Sequence, residues 1–274
     1  MRRATLDGWW RLASWASLRQ PARLSYEVSG KMASYRKTPL SEAIFEFAPE
    51  ATSFPPEGAE RLVRLFSAGF PKLQELPGIE VEFEVSPAGV SPKRDGKKTV
   101  RHRLWNLANS RLLQFAPDMC AFNALPPYTH YVDYLPDIER LFTAYLGEAK
   151  PSALRFLGQR YINRIFLPSE AANPSDYFTF YPRRPAAHHP PFSLQLETER
   201  LSQGQVVLSL YYAGLDSQRP LYFLDLYARS SENPGIAFDW LVAKAWQDEA
   251  HEGITRAFEH AITDTSRQLL ERED

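Results

Sequence analysis

The sequence is short of the residues that most specialised chemistries need. It holds one cysteine, Cys120, in 274 residues. That excludes an intramolecular disulfide framework and fits a reducing, cytoplasmic setting. Glycine is scarce at 13 residues, which leaves little from which to build phosphate-cradling loops, and no Gly-x-x-x-x-Gly-Lys-[Ser/Thr], Gly-x-Gly-x-x-Gly or Gly-x-Ser-x-Gly motif occurs. No run approaches the roughly 20 apolar residues that a membrane-spanning helix requires. A net charge of −1 supplies no global field towards nucleic acid or an anionic membrane, although a local basic patch remains open.

What the chain does have is apolar and aromatic weight. Hydrophobic residues make up 44% and aromatics 13%, enough for a packed globule rather than a disordered chain. The first 31 residues differ: six Lys/Arg face two acids, and Trp9, Trp10 and Trp15 cluster near the front. Met32 directly precedes the first strand-like pattern, so residues 1–32 read as an N-terminal extension from an upstream start. The other reading is an amphipathic docking segment with Trp9, Leu12, Ala13 and Ala16 on one face. The folded body is expected over residues 33–274.

Alternation predicts strands at Ser41 to Phe47, with Ala43, Phe45 and Phe47 inward, and at Ile79 to Val85, where Ile79, Val81, Phe83 and Val85 alternate with Glu80, Glu82 and Glu84. Further strands are expected near Thr99 to Leu107, Arg111 to Asn123, Ala153 to Leu167, Phe192 to Glu199, Gln205 to Ala213 and Leu221 to Arg229. Helical spacing marks Glu57 to Phe70, Val132 to Leu146 and a long closing helix from Phe238 to Thr263. In that last helix Phe238, Leu241, Val242, Ala245, Trp246, Ala250, Ile254, Phe258 and Ile262 form the expected apolar stripe. Polar loops are expected over Ser91 to Lys98 and Pro168 to Pro191. Consecutive strand runs, each closed by a helix, give an α+β fold: curved antiparallel sheet packed on helices. A strand–helix–three strands–helix plan over 33–150, repeated in shorter form over 151–274 without a counterpart of the Glu57 helix, is the expected internal organisation.

Three segments together carry a resemblance. They are Tyr35-x-x-x-Pro39-Leu-x-Glu42-Ala-Ile-Phe-Glu46-Phe, Arg160-Tyr-Ile-Asn163-Arg-Ile, and Trp246-x-x-x-Ala250-His251-x-x-Ile254-x-x-x-Phe258-Glu259-x-x-Ile262-Thr263. In this order and spacing the chain resembles a sporadically distributed prokaryotic family of conserved hypothetical proteins of comparable length, over residues 35–265. The resemblance implies a start at the Tyr35 strand and an accessory role of the kind found in anti-phage and stress gene clusters. It implies no catalytic residues.

Candidate site residues come from local pattern alone. His251 opens His-Glu-Gly-Ile-Thr, but Thr255 stands where a zinc helix needs its second imidazole, so no metal site is expected. His251 and Glu259 lie on one helical edge and form either a general acid/base pair or a backbone-bonded histidine beside a solvated carboxylate. Arg160 and Arg164, two strand steps apart and on one face with Asn163 between them, either hold a phosphate- or carboxylate-bearing ligand or pair with strand carboxylates such as Glu42, Glu46, Glu80 and Glu82. His188 and His189, with Arg183 and Arg184, sit in a Pro-rich loop and read as an exposed linker or a partner contact. Tyr128, Tyr131 and Tyr134, with Phe122 and Trp105, read as aromatic core rather than a base-stacking platform. Cys120 reads as a small buried hydrophobe.

The expected function is therefore a non-enzymatic cytoplasmic binding component of an accessory system, with a protein or small anionic ligand as partner, no cofactor, no membrane span, and nucleic acid not favoured. The alternative is a small-molecule or nucleotide-processing enzyme using His251 and Glu259, with Arg160 and Arg164 as anion binders.

Overall fold

The computed structural model describes residues 34–50, 54–80, 83–86, 89–92, 97–169, 172–182, 193–232 and 239–273. The N-terminal extension, the Lys93-Arg94-Asp95-Gly96 turn, the His188-His189 loop and Phe238 lie outside them. In chain order the strands and helices are β1 (Ser34–Tyr35), β2 (Leu40–Pro49), α1 (Pro56–Phe66), β3 (Lys72–Glu80), β4 (Phe83–Ser86), β5 (Gly89–Pro92), β6 (Lys97–Trp105), β7 (Arg111–Ala116), β8 (Met119–Ala124), α2 (Leu135–Ala149), β9 (Leu154–Phe166), β10 (Ser193–Leu201), β11 (Gly204–Asp216), β12 (Arg219–Arg229), α3 (Trp240–Ala261), α4 (Asp264–Leu269) and β13 (Arg272–Glu273).

The fold is α+β, built on an open nine-stranded sheet with strand order β10-β11-β12-β9-β2-β8-β7-β6-β3. From the central antiparallel β9/β2 pair the order runs outward as β12-β11-β10 on one side and β8-β7-β6 on the other. Each half is thus a first strand paired with the last strand of a three-strand meander. Helix α2 follows one meander and α3 the other. The described residues fall into two compact units: one within Pro77–Val100, which carries the antiparallel β4–β5 hairpin, and one within Ala33–Leu76 and Arg101–Asp274.

Local chemistry sets the element ends. Pro55 and Pro56 open α1, where a missing N–H is harmless, and Asp239 caps α3 by accepting the Leu241 N–H at 2.7 Å. The β11–β12 hairpin turns through Ser217 and Gln218, both at positive φ (52° and 64°), the backbone of a two-residue primed turn. At the β10–β11 turn Gly204 has φ 114°, and a Cβ there would sit 2.0 Å from the Arg229 carbonyl oxygen, so a glycine is required. β1 and β13 pair antiparallel, Tyr35 opposite Arg272, and join the two ends of the body.

Several expectations are corrected. Arg111 to Asn123 is two strands, because Pro117 and Asp118 turn the chain between β7 and β8. Strand β3 starts at Lys72, ahead of the expected Ile79. Helix α1 stops at Phe66, leaving Leu65 46% exposed while Phe70 packs from beyond the helix end. The closing helix breaks at Ile262, and Thr263 caps a separate α4. Its buried stripe is also rotated: Ala243, Trp246, Gln247, Ala250, Gly253, Ile254, Ala257 and Ala261 face inward, whereas Leu241 is 73% exposed. The reason is close approach. A Cβ on Gly253 would lie 2.9 Å from Leu201 Cδ2, so small residues face the sheet where a hydrophobicity pattern selects large ones.

Among the described residues the helices lie over one face of the sheet. Phe45, Phe47, Phe115, Phe122, Leu157, Leu208 and Leu226 are buried there beneath α2 and α3, with Phe47 against Phe142 at 4.4 Å. Cys120 is buried in the same layer, and burial pushes its thiol up, away from reactivity. Tyr131, Tyr134 and Phe122 belong to that core as well.

Candidate functional site

Strand β9 is central, so its alternation sends neighbouring residues to different environments. Gln159, Tyr161 and Asn163 point to the helix layer; Arg160, Ile162 and Arg164 point to the face that no described helix covers. The residue types that drew attention in the sequence are split between the two.

On the helix side, Tyr161 Oη lies 2.6 Å from His251 Nδ1 on α3, and Gln159 Nε2 donates to Tyr161 Oη at 2.9 Å. Burial pushes the His251 imidazole down to about 4, against the opposing pull of Asp248, so it is neutral at pH 7. The donor order that satisfies the chain has Tyr161 donating to Nδ1, with the ring proton on Nε2. Tyr131 stacks on the imidazole at 4.5 Å and donates to Asp248 at 3.0 Å. Glu259 does not join this group. It accepts from Tyr35 Oη at 2.6 Å and Arg267 Nε at 3.1 Å, and so anchors the β1–β13 end of the body. Thr255, between them on α3, bonds back to the His251 carbonyl at 2.8 Å. Asn163 is buried and donates to the Leu224 carbonyl at 3.1 Å, on the side opposite Arg160 and Arg164.

The helix-free face is organised in transverse rows fixed by strand register. One row runs Glu197, Val207, Tyr227, Arg160, Ile44, Asn123, Leu112, Trp105; the next runs Gln205, Arg229, Gly158, Glu46, Ala121, Gln114, Arg103. Arg160 makes a bidentate pair with Asp225, its Nε donating at 2.7 Å. Burial alone would depress the guanidinium, but Asp225 and Glu46 hold it charged. The sequence offers strand glutamates as partners; an aspartate on β12 takes the role, because the β9–β12 register sets Asp225 opposite Ile162, diagonal to Arg160. Arg164 reaches Asp216 at 3.3 Å. Glu42 accepts from Asn123 at 2.7 Å, Asn123 from Gln114 at 2.8 Å, and Gln114 from Arg103 at 2.9 Å, a relay across four strands.

Glu46 lies over Gly158 and accepts a short hydrogen bond from Tyr227 two strands away. A Cβ on Gly158 would sit 2.5 Å from Glu46 Cγ and Oε1, so the glycine is the notch through which the carboxylate passes. Burial raises the Glu46 carboxyl above its ordinary range, while Tyr227 and Arg160 pull it back.

Around this centre the face is built from arginine on aromatic rings. Arg229 stacks over Phe156 at 4.1 Å and Arg155 approaches the same ring at 5.2 Å. Arg164 and Arg219 lie over Phe166 at 5.3 and 4.9 Å. Beside Arg164 in its row, Phe223 and Tyr211 stack at 5.2 Å with 14° between ring planes. Five rings of the face (Phe156, Phe166, Tyr211, Phe223 and Tyr227) are half-buried, as is Trp105 at the far end of the first row. Sequence reasoning found Arg160 and Arg164 but missed Phe223, Asp225, Tyr227 and Arg229. The usable signal was the alternation of β12 itself, whose odd residues carry every one of these groups.

Among the described residues no group of three or more His, Cys, Asp and Glu side chains is placed to hold a metal ion, and no helix is long and apolar enough to cross a membrane. Comparison with protein-family models and with curated proteins finds no match to this chain in either.

Proposed function

We propose that the protein is a non-enzymatic binding component and that the helix-free face of its sheet engages the partner. The observation that carries this reading is that face's makeup: half-buried rings beside arginines, the residue types enriched at interaction surfaces, held in place by stacking and by buried pairs. The enzyme alternative needs His251 and Arg160 at one reacting centre. Strand β9 directs Tyr161, which holds His251, and Arg160 to opposite faces, and Glu259 is engaged by Tyr35 and Arg267. The family resemblance supports a role in an accessory system, anti-phage defence included, and the single cysteine fits a cytoplasmic setting.

A thermal-shift screen of small anionic ligands tests the reading, run in parallel on the wild type and an Arg164→Ala/Arg219→Ala variant. A ligand at 100 times its Kd stabilises the folded state by about 2.7 kcal/mol. We expect at least one ligand to stabilise the wild type and to lose its effect in the variant. A shift that survives unchanged in the variant places the site elsewhere and ends the proposal.

A further inference from the structure

Resting on the binding-face reading above, we infer that the partner is a single-stranded nucleic acid, whose bases stack on the Tyr211–Phe223–Phe166 cluster and whose phosphates meet the surrounding arginines. Strands read single-stranded nucleic acid by offering half-exposed rings on adjacent positions of a sheet face, with cations close enough to follow the backbone. Here Tyr211 and Phe223 are directly opposed across β11 and β12, and Arg164 is the next residue in the same row on β9. The two rings are stacked nearly parallel, which leaves their outer edges and faces for a third π-system. Phe166 lies two residues along β9 from Arg164, under Arg164 and Arg219.

The arginines are in the state such a ligand requires. A guanidinium resting on a ring is fixed by its face, so its N–H edge stays directed outward for bidentate contact with a phosphate. Among the described residues neither Arg155 nor Arg219 makes an ion pair. Arg164 makes a loose contact to Asp216 at 3.3 Å and Arg229 one to Glu232 at 3.5 Å, while Arg155 and Arg229 also lie within electrostatic reach of Glu46. The acids at the centre are already consumed: Asp225 holds Arg160, and Glu46 holds Tyr227. From Phe156 to Phe166 the track follows ten residues of β9, roughly 33 Å at about 3.3 Å per residue. That is an extended site, not a socket for one small anion. The chain's near-zero net charge predicts modest, strongly salt-dependent affinity.

The test is fluorescence anisotropy with labelled single-stranded DNA and RNA oligomers of about 12 nucleotides, within the range that sheet-type sites cover, measured from low to physiological salt. Three proteins are compared: wild type, Arg164→Gln/Arg219→Gln, and Tyr211→Leu/Phe223→Leu, which keeps apolar bulk but removes the π faces. The expected results are salt-dependent binding by the wild type, a slope of log K against log salt reduced by about 1.4 in the arginine variant, and affinity lowered about tenfold or more in the aromatic variant. Equal binding of the aromatic variant, or equal wild-type affinity for a duplex of the same length or for polyphosphate, shows attraction by charge alone and overturns the assignment. Absence of binding at low salt, or preference for an acidic peptide, overturns it too. If that occurs while a small anion still gives a thermal shift that depends on Arg164 and Arg219, the binding-face reading stands without the nucleic acid; if both fail, both fall.

Discussion

The two faces of β9 solve the same problem in opposite ways. Each carries polar and titratable groups into a half-buried or buried setting. On the helix side burial removes charge: His251 is held neutral, and Gln159, Tyr161 and the imidazole pass hydrogen bonds along one line. On the other side polar groups are matched: Arg160 is held charged by Asp225, and Glu46, its carboxyl raised by burial, has Tyr227 with Arg160 nearby. Neutralisation suits a surface sealed under a helix, where an ion would face its full desolvation cost. Matching suits a surface that meets solvent and exchanges it for a partner, because paired groups keep their orientation without losing their charge. On the binding-face proposal, the difference gives one face a structural role and the other recognition.

The largest expected effect breaks the matched face. Asp225→Ala strands a largely buried guanidinium and should cost about 3–5 kcal/mol, measured by chemical denaturation; a loss below about 1 kcal/mol would show Arg160 finding water at no penalty and would remove the distinction between the faces. Next comes the neutralised face. The folded-state imidazole of His251 titrates at about 4, below its unfolded value, so its contribution is complete above pH 6.5 and is lost as pH falls through that window towards 4. Between those limits the wild type should lose up to about 3 kcal/mol more than His251→Gln; parallel pH profiles of stability for the two proteins would contradict a buried neutral histidine. The smallest effect probes the glycine notch. Gly158→Ala should cost about 1–3 kcal/mol by expelling the Glu46 side chain from its path to Tyr227, and most of that cost should vanish in a Glu46→Ala background. Equal costs in both backgrounds would locate the strain elsewhere.

Much of the fold was legible because period-2 alternation survives in central strands. Ala43, Phe45 and Phe47 are inward as their pattern requires. The hairpin at Ser217–Gln218 shows why boundaries are harder: a primed turn was made without glycine, so β11 and β12 run further than turn chemistry suggests. Helix α3 shows a second limit, since alanines and Gly253 face the sheet through close approach, a property of the pair of surfaces and not of the helix alone. The candidate site was legible only as residue types. Arg160 and Arg164 do share a face, but Asn163 and His251 belong to the other, and the ring partners of the arginines come from register between β9, β12 and β11. Register across such sequence distances leaves no local mark.

The pairing of β1 with β13 clasps the two ends of the described body together. Tyr35 sits opposite Arg272, the Arg36 and Lys37 amides bond to the Glu271 and Leu270 carbonyls at 3.1 Å, and the Tyr35 hydroxyl is tied to Glu259. The backbone of the body is therefore nearly a ring. Its beginning and end are neighbours, and any exposed hairpin, Ser217–Gln218 among them, could serve as well for a point of opening. The order in which the halves are encoded is then a convention of the gene, while the β9/β2 seam is the feature that the fold itself treats as its middle.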